Sequence, residues 1–422
     1  MHTKAVFLWA AGFCISTALS ETLQKAAFVP TQDPWYRAPA HLERSPPGHV
    51  FKFREAPGNL TKVVGDNCSA AYQILYRTTD NNYKPSWAVT TLLLPANKHH
   101  AEPPLLSYQI PYDSNNLDAS PSATLYFDTA SGPLHIPSAL DDIRPALERG
   151  WFVNVPDYEG PLASFTLGVQ SGHATIDSIR AVKQLRIGPG KTAKTAMWGY
   201  SGGSIATEFA AELQVQYAHD LKIDGAAFGG SVPNLTSTFL HLNGGILAGD
   251  LPNALLGLVS QNQRAEKALL SRLHESGPFN KTTFLSVKHL QVPEALQRFD
   301  HQDIGNYLKG GLEGLFESPE IKPILLASYG GHHGVPTIPL FVYKAIHDDV
   351  APVKDTDDLV HEFCALGARI EYQRNTVGDH ISEIANGGPR ALDFLTKILE
   401  KSYHGVKQCE IKDVTVNVTS SA

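Results

Sequence analysis

Several features that define whole classes of protein are scarce or missing in this sequence of 422 residues. No apolar run approaches the roughly 20 residues that a membrane-spanning helix needs, which argues against a membrane span. The net charge is −7 and runs of basic residues are missing, which argues against nucleic acid or an anionic membrane as the partner. We also find no internal repeat and no low-complexity tract. At roughly 400 residues, one large domain with an insertion is the expected organisation.

The first twenty residues have the composition of a secretory signal peptide. A short basic start, Met-His-Thr-Lys, precedes an apolar run from Ala5 to Ile15, and Ala18-Leu-Ser20 resembles a cleavage site with small residues. We therefore expect a secreted, extracellular and soluble mature chain that begins at about Glu21. Five N-x-S/T glycosylation sequons agree with that route, and they lie at Asn59, Asn67, Asn234, Asn280 and Asn417.

The most informative stretch is AMWGYSGGSIATEFAA, residues 196–211, which contains a G-x-S-x-G motif centred on Ser201. A short apolar run, Thr195–Tyr200, precedes the serine and is typical of a strand that crosses a buried sheet. After the serine, apolar residues recur at helical spacing from Ile205 to Leu213. The motif therefore lies between a predicted strand and a predicted helix.

Glycines on both sides of the serine indicate a tight turn. Gly199 and Gly203 permit the strand and the helix to pack closely, and such a turn lifts the Ser201 hydroxyl out of the sheet. The first N–H of the new helix, on Gly202, then points at whatever the serine attacks. The alternative is a glycine-rich turn with a capping serine and no catalytic role.

The segments around the motif predict a mostly parallel sheet. The first two strand-like runs are close neighbours and are expected to form an antiparallel hairpin. From the third run onward, helix-length segments mostly intervene, which is the βαβ pattern of a parallel sheet. Eight strands with the serine turn after the fifth is the layout of the α/β-hydrolase fold, which we predict. The eight predicted strands are Ala71–Tyr76, Trp87–Leu94, Leu105–Ile110, Trp151–Val155, Thr195–Tyr200, Ile223–Phe228, Pro339–Lys344 and Ala368–Gln373.

The connection between predicted strands six and seven is abnormally long. About 110 residues lie there, whereas an ordinary crossover takes about a dozen. Amphipathic helical patterns recur within it, so we predict a large helical cap over the carboxyl ends of the strands; an independent structural subdomain is the alternative. The predicted division is a signal peptide at 1–20, a first part of the α/β-hydrolase core at 21–231, the cap or lid at 232–328 and a second part of the core at 329–422.

A serine hydroxyl is a weak nucleophile, so it needs a base within hydrogen-bond reach and a carboxylate that orients this base. In the predicted fold the chain order is Ser, then Asp or Glu, then His. His380 follows the last predicted strand, and the loop after the seventh offers Asp348 and Asp349, between which spacing alone does not choose. The adjacent His332 and His333 are a weak metal signal, because they lack an i,i+4 or carboxylate companion.

Three cysteines remain once Cys14 has left with the signal peptide. In an oxidising compartment, one bridge and one free thiol is the simplest arrangement. We predict a disulfide between Cys364 and Cys409, which encloses His380 in a loop of about 45 residues and contributes on the order of 4 kcal/mol in the chain-entropy model. Cys68 then stays unpaired, as a buried thiol or with an intermolecular partner.

Four blocks of sequence are together far more specific than the serine motif alone. They resemble the fungal secretory lipase family, the group similar to yeast lipase A, and the resemblance extends over most of the mature chain. The four blocks are PDYEGPLASF (156–165), GHATIDSIRA (172–181), WGYSGGSIATEFAAE (198–212) and YKAIHDDVAP (343–352).

The resemblance implies a catalytic triad of Ser201, Asp348 and His380, with the first aspartate of the pair in the carboxylate role. It also implies that a second oxyanion N–H, beside that of Gly202, comes from Asp113 in the segment SYQIPYDS. The fold rule likewise places this donor in the loop after the third strand. One departure from the family pattern is His347, where relatives often have proline.

These residues predict a serine ester hydrolase that works through an acyl-enzyme, with no metal or organic cofactor. The resemblance makes long-chain triacylglycerol the leading substrate, with the cap binding the acyl chain. A specific esterase that deacylates a secondary metabolite is the alternative within hydrolases, and an inactive lipid-binding relative is the alternative outside catalysis. We expect a monomer that meets an ester or lipid substrate and contacts a lipid interface transiently.

Overall fold

A computed structural model describes residues 29–97, 99–126, 138–400 and 403–418. Its centre is one sheet, in which the strands follow the order β1-β2-β3-β5-β4-β6-β7-β8-β9-β10. The three pairs from β1 to β5 are antiparallel, and all later pairs are parallel. The strands are β1 (Val50–Glu55), β2 (Cys68–Thr79), β3 (Pro85–Pro95), β4 (Leu105–Gln109), β5 (Phe152–Pro156), β6 (Thr195–Tyr200), β7 (Gly225–Gly229), β8 (Leu340–Ala345), β9 (Ile370–Asn375) and β10 (Glu410–Val414).

Helices cover both faces of the sheet and account for the continuous apolar runs of its central strands. Short 3-10 turns lie at Pro34–Tyr36, Leu42–Arg44, Leu117–Ala119, Gly160–Leu162, Ser286–His289 and Ile304–Tyr307. The α-helices are α1 (Leu60–Val64), α2 (Pro121–Thr124), α3 (Leu140–Glu148), α4 (Gly168–Gln184), α5 (Gly202–Tyr217), α6 (Leu235–Leu242), α7 (Asp250–Val259), α8 (Gln263–Arg272), α9 (Lys281–Leu285), α10 (Val292–Arg298), α11 (Gly311–Phe316), α12 (Lys322–Ala327), α13 (Val353–Ala365) and α14 (His380–Glu400).

Strand β6 shows how the two layers of core are built. Its six residues are all buried, and successive side chains point to opposite faces. Met197 packs in the core that contains helices α4 and α5, whereas Trp198 packs in the core that contains α3 and α14. A strand buried on both faces reads as an apolar run rather than as an alternation.

All eight predicted strands are present, but the predicted number was wrong. The described residues add β1 at one edge of the sheet and β10 at the other. Both edge strands are partly exposed and carry charged residues, as edge strands commonly do. This composition lacks the apolar signal by which the inner strands were recognised.

The long connection between β7 and β8, residues 230–339, carries helices α6 to α12. The amphipathic patterns noted in the sequence correspond to α8 and α10. Asn262 is the N-cap residue of α8, and Gln291 is the N-cap residue of α10. Gly244, Gly310 and Gly311 have positive φ, a backbone conformation in which glycine is the least strained residue. Gly244 and Gly310 lie between helices, and Gly311 begins α11.

A disulfide joins Cys364 of α13 to Cys409, next to β10, which is the predicted pairing. Cys68 is free and buried, and burial raises the pKa of its thiol to about 11. Among the sequons, Asn59 and Asn417 are exposed, while Asn67, Asn234 and Asn280 are partly exposed. The predicted signal peptide lies outside the described residues. Within those residues, no helix is both long and apolar enough to cross a membrane.

Several carboxyl groups are buried in the core and hold their protons unusually tightly. Burial raises the pKa of Asp157 and of Glu212 to about 7 and that of Asp177 to about 6. Each accepts hydrogen bonds that only partly offset the burial, for example from the backbone N–H groups of Gly331 and His333 to Glu212, both at 2.8 Å. The folded state therefore favours the protonated form of these groups.

These groups predict that the protein is more stable in mild acid. Their folded-state pKa values lie above the unfolded values of about 3.9 and 4.3 for Asp and Glu, so the folded form binds more protons between about pH 4 and pH 7. Stability then falls as pH rises through that window. We expect the melting temperature to decrease steadily from pH 5 to pH 8. Asp157→Asn should flatten the dependence, whereas the exposed control Asp300→Asn should not, and a melting temperature that rises toward pH 8 would contradict the prediction.

Candidate active site

Ser201 lies in a strained turn between β6 and α5. Its backbone has φ 52° and ψ −122°, a conformation that a residue with a side chain rarely adopts. The flanking glycines leave no room for a Cβ: one on Gly199 would lie 2.1 Å from the Gly203 carbonyl oxygen, and one on Gly203 would lie 2.0 Å from that of Gln109. Close packing of α5 on the ends of β6 and β4 thus requires glycine at both positions.

His380, the first residue of α14, is buried and faces this serine. The Ser201 hydroxyl is within 2.8 Å of His380 Nε2, and the Nδ1–H of the same ring donates to Asp348 Oδ2 at 2.8 Å. The Tyr200 hydroxyl donates a hydrogen bond to the His380 backbone carbonyl at 2.7 Å and so helps to hold the histidine in place. The structure therefore brings together the three residues that the sequence selected, in a hydrogen-bonded chain that a serine nucleophile requires.

The loop between β8 and α13, residues 346–352, carries two aspartates and is called the acid loop here. The two aspartates have different contacts in the structure. Asp348 is buried, whereas Asp349 is exposed and accepts the His380 backbone N–H at 3.2 Å, at the start of α14. His347, the departure from the family pattern, is exposed. Geometry thus resolves the choice that spacing left open, in favour of Asp348.

Asp348 is held by four hydrogen-bond donors. The backbone N–H groups of Val350 and Ala351 both donate to its Oδ1 at 2.9 Å. Its Oδ2 accepts from His380 and from the Nζ of Lys344, at 2.9 Å. Burial on its own would raise the pKa of Asp348, but the neighbouring His380 and Lys344 charges and the hydrogen bonds hold it well below the ordinary range.

Gly202 and Asp113, the predicted oxyanion donors, lie side by side. A Cβ on Gly202 would lie 1.8 Å from Asp113 Oδ1, so the aspartate packs directly on the first turn of α5. Gly202 is the first residue of that helix, so its N–H has no hydrogen-bond acceptor within the helix. Asp113 itself has φ 38°, which marks a second strained residue at the same place.

A cavity of about 30 Å³ lies in front of Ser201. Its walls are mostly apolar and come from the core and from helices α6 and α7 of the long connection. The lining residues are Asp113, Phe165, Thr166, Ser201, Gly202, Ile205, Val232, Leu235, Thr238, Phe239, Leu242, Asp250, Ala254 and Val350.

Three polar atoms of this cavity have no hydrogen-bond partner among the described residues: Asp113 Oδ1, Thr238 Oγ1 and Asp250 Oδ1. Burial raises the pKa of Asp113 to about 7. Burial and the nearby Asp113 raise the pKa of Asp250 well above its ordinary value. Both carboxyls are therefore largely protonated in mild acid, when each can donate as well as accept a hydrogen bond.

Sequence reasoning missed Lys344, Thr238 and Asp250. A charged residue in the otherwise apolar strand β8 was a usable signal for Lys344, because a lysine there must find a buried partner. Thr238 and Asp250 lie on helices of the long connection, and no pattern along the chain indicates which face of those helices meets the serine. The His333 ring contacts the Phe209 ring in a tilted arrangement. The described residues contain no group of three metal-ligating side chains.

Comparisons with known proteins agree with this geometry. The family model described as secretory lipase matches residues 135–405. The trichothecene C-3 esterase of Fusarium sporotrichioides is 46% identical over 93% of this chain and 89% of its own length. A probable trichothecene esterase of Stachybotrys chartarum is 42% identical over 97% of this chain and 87% of its own length.

Among solved structures, Candida antarctica lipase A in its closed state superimposes with a TM-score of 0.80 at 28% identity, over 91% of this chain and 89% of that one. The α/β-hydrolase fold and the ester-hydrolase activity predicted from the sequence are confirmed by these relatives. With a family model that spans most of the chain and close relatives along nearly all of it, this protein is a carboxylic ester hydrolase of the secretory lipase family.

Proposed function

We propose that this protein is an extracellular esterase that removes a short acyl group from an oxygen-rich alcohol of the trichothecene class. The observation that carries the proposal is the cavity in front of Ser201, which is small, mostly apolar and furnished with unpartnered polar atoms. The two trichothecene esterases among its relatives support the same class of substrate.

The proposed reaction begins with proton transfer from Ser201 to His380 as the serine oxygen attacks the ester carbonyl carbon. Asp348 holds the imidazole in the required orientation and stabilises the imidazolium. His380 then gives its proton to the departing alcohol oxygen, which leaves an acyl group on Ser201. A water molecule, deprotonated by the same histidine, attacks the acyl-enzyme and releases the acid.

The N–H groups of Gly202 and Asp113 are proposed to hold the oxyanion of the tetrahedral intermediate. Donors that are fixed in place before the reaction stabilise this charge without reorganising. The Asp113 carboxyl packs on Gly202, so it must be neutral for the oxyanion to form beside it. Its pKa of about 7, raised by burial, favours turnover in neutral to acid solution.

The size of the cavity favours a short acyl group. A cavity needs roughly 10–15 Å³ to hold one water molecule. The cavity of about 30 Å³ therefore has room for two or three groups of that size. An acetyl group fits that space, and a long acyl chain does not unless the walls move.

The polar atoms favour an oxygen-rich alcohol. A buried acceptor or donor without a partner costs about 1–3 kcal/mol, and a ligand that supplies the partner recovers this free energy. Asp250 and Thr238 line the cavity from α7 and α6, and we propose that they bind the alcohol portion of the ester. A triacylglycerol offers no hydroxyl donor to them.

Triacylglycerol, which ranks first on sequence alone, is the second candidate. The observation in its favour is that the outer wall of the cavity belongs to residues 230–339, so displacement of this connection would lengthen the cavity. We propose that residues 232–328 act as the cap of the site in either case, with Leu235, Phe239 and Leu242 limiting its depth.

Extracellular location and a monomeric state complete the proposal. A disulfide and exposed sequons suit an oxidising compartment. The triad, the oxyanion donors and the cavity walls all come from one chain, so activity does not require a second copy.

The nucleophile is tested by Ser201→Ala. Removal of a triad member costs orders of magnitude in kcat, so we expect at least a ~10³-fold loss of p-nitrophenyl acetate hydrolysis with an unchanged melting temperature. A fluorophosphonate probe should label Ser201 in the native protein, as mapped by mass spectrometry. Ser204→Ala, in the same turn, is the matched control. Folded Ser201→Ala protein with a tenth of the native activity would exclude the proposed nucleophile.

The acyl preference is tested with p-nitrophenyl esters from acetate to palmitate. We expect kcat/KM to fall steeply beyond butyrate, because longer chains have no space in the cavity. Phe239→Ala should raise activity on octanoate relative to acetate by about 10-fold or more, since each accommodated methylene contributes about 1–3 kcal/mol. Phe316→Ala is the control, because Phe316 packs on Phe239 without lining the cavity. Native kcat/KM that rises with chain length would favour the lipase candidate.

The alcohol preference is tested by Asp250→Leu. We expect the native protein to prefer a trichothecene acetate with free hydroxyl groups over the same compound with those hydroxyls methylated. The variant should lose about 10-fold or more of that preference, while its rate on p-nitrophenyl acetate changes little. Asp303→Asn, a helix-capping residue of the same connection, is the control. An unchanged preference in Asp250→Leu would remove this residue from substrate recognition.

A further inference from the structure

Lys344 is a buried lysine that the proposed reaction does not use. Its side chain has no solvent exposure, which is rare for lysine unless the charge is paired. The Nζ group donates to Asp348 Oδ2 at 2.9 Å and to the Ser231 carbonyl at 2.9 Å. It therefore links the end of β8, the acid loop and the first residues after β7.

One carboxylate oxygen accepts hydrogen bonds from two groups that can carry a positive charge. Asp348 Oδ2 accepts from Lys344 at 2.9 Å and from His380 Nδ1 at 2.8 Å. When His380 takes the serine proton it becomes an imidazolium, and the nearby ammonium repels it. A like charge within about 4–6 Å makes the charged form of a group less favourable. Lys344 thus opposes protonation of His380, whereas Asp348 favours it.

Other ionisable groups also face this cluster. Glu208 on α5 is the carboxyl near Lys344. Burial and the nearby Glu212 raise its pKa well above the ordinary value, although the Ser231 hydrogen bond and Lys344 act in the opposite direction, so the protonated, neutral form is favoured. Asp113 faces His380, and burial raises the pKa of Asp113 to about 7. Further ionisable groups near Asp348 or His380 are Asp349, Asp379, Glu383, Tyr200 and Tyr372.

We propose that Lys344 is a positioning residue that fixes Asp348 and keeps His380 unprotonated in acid, and so sets the lower pH limit of hydrolysis. The inference rests on the proposed triad. In the absence of the ammonium, Asp348 would face the imidazole as an uncompensated carboxylate and would stabilise the imidazolium more strongly. A general base that is already protonated cannot accept the serine proton.

The test is the pH profile of kcat/KM for Lys344→Met on p-nitrophenyl acetate, followed at the isosbestic wavelength from pH 4 to pH 8. The acidic limb of this profile reports the free enzyme. We expect it to move to higher pH by about one unit in the variant, the size expected for one close charge. Lys344→Arg, which keeps the charge, should retain the native limb even where kcat falls.

Two variants separate this effect from a loss of stability. Lys183→Met removes another buried lysine, whose Nζ bonds the Ala193 carbonyl and the Thr195 hydroxyl far along the chain from the acid loop. It should lower the melting temperature and leave the limb in place. Glu208→Gln should also leave the limb in place, because Glu208 is already neutral.

An acidic limb of Lys344→Met that coincides with the native one overturns the inference, whatever the change in kcat. If Lys344→Met does not fold, Lys344→Gln provides the same comparison with the same two outcomes. Ser201→Ala distinguishes this failure from that of the triad. If Ser201→Ala is inactive and the acidic limb of Lys344→Met coincides with the native one, only the role of Lys344 is overturned. If Ser201→Ala is active, both proposals are overturned.

Discussion

The close approach of α5 to the ends of β4 and β6 is the constraint on which the site depends. At Gly199 and Gly203 the backbones meet at distances that no Cβ permits, and the residue between them, Ser201, takes a positive φ. Such strain persists only where the surrounding packing is strong enough to maintain it. Here the packing is supplied by a strand that is buried on both faces and by the first turns of a buried helix. The strained turn in turn aims the serine hydroxyl at His380 and the first N–H of α5 at the cavity.

Electrostatics divide the buried acids of this protein into two groups. Asp348 is ionised because two backbone N–H groups, His380 and Lys344 surround it. Asp113, Glu208 and Asp250 have fewer such partners, and burial raises the pKa of each above its ordinary value, which favours the protonated form. The same low-dielectric interior therefore holds one carboxylate as an anchor for the base and others as neutral hydrogen-bonding groups. This contrast is compatible with the proposed oxyanion, which would form within a region rich in aspartate and glutamate.

The connection between β7 and β8 forms much of the wall of the cavity in front of Ser201. Its helices α6 and α7 close the cavity over Ser201 and contribute both the apolar residues that limit its depth and the polar atoms that lack partners. The catalytic groups, by contrast, all lie at the carboxyl ends of core strands, where α/β folds place their sites. Relatives described as lipases and as esterases therefore share one core, and substrate choice is expected to reside in the connection.

The sequence alone predicted the inner sheet and the proposed nucleophile and base, Ser201 and His380. Strands buried on both faces are continuous apolar runs, and a nucleophile between glycines at a strand end is recognisable from local spacing. The edge strands β1 and β10 escaped because exposed edges carry charges and lack that pattern. Spacing could not separate Asp348 from Asp349, and the family resemblance only implied the first of them. The tertiary structure shows that Asp348 faces His380, because the side chains of adjacent residues point in different directions. It alone paired Lys344 with Asp348 and placed Asp250 and Thr238 beside the serine, because contacts between distant segments depend on packing that no local pattern records.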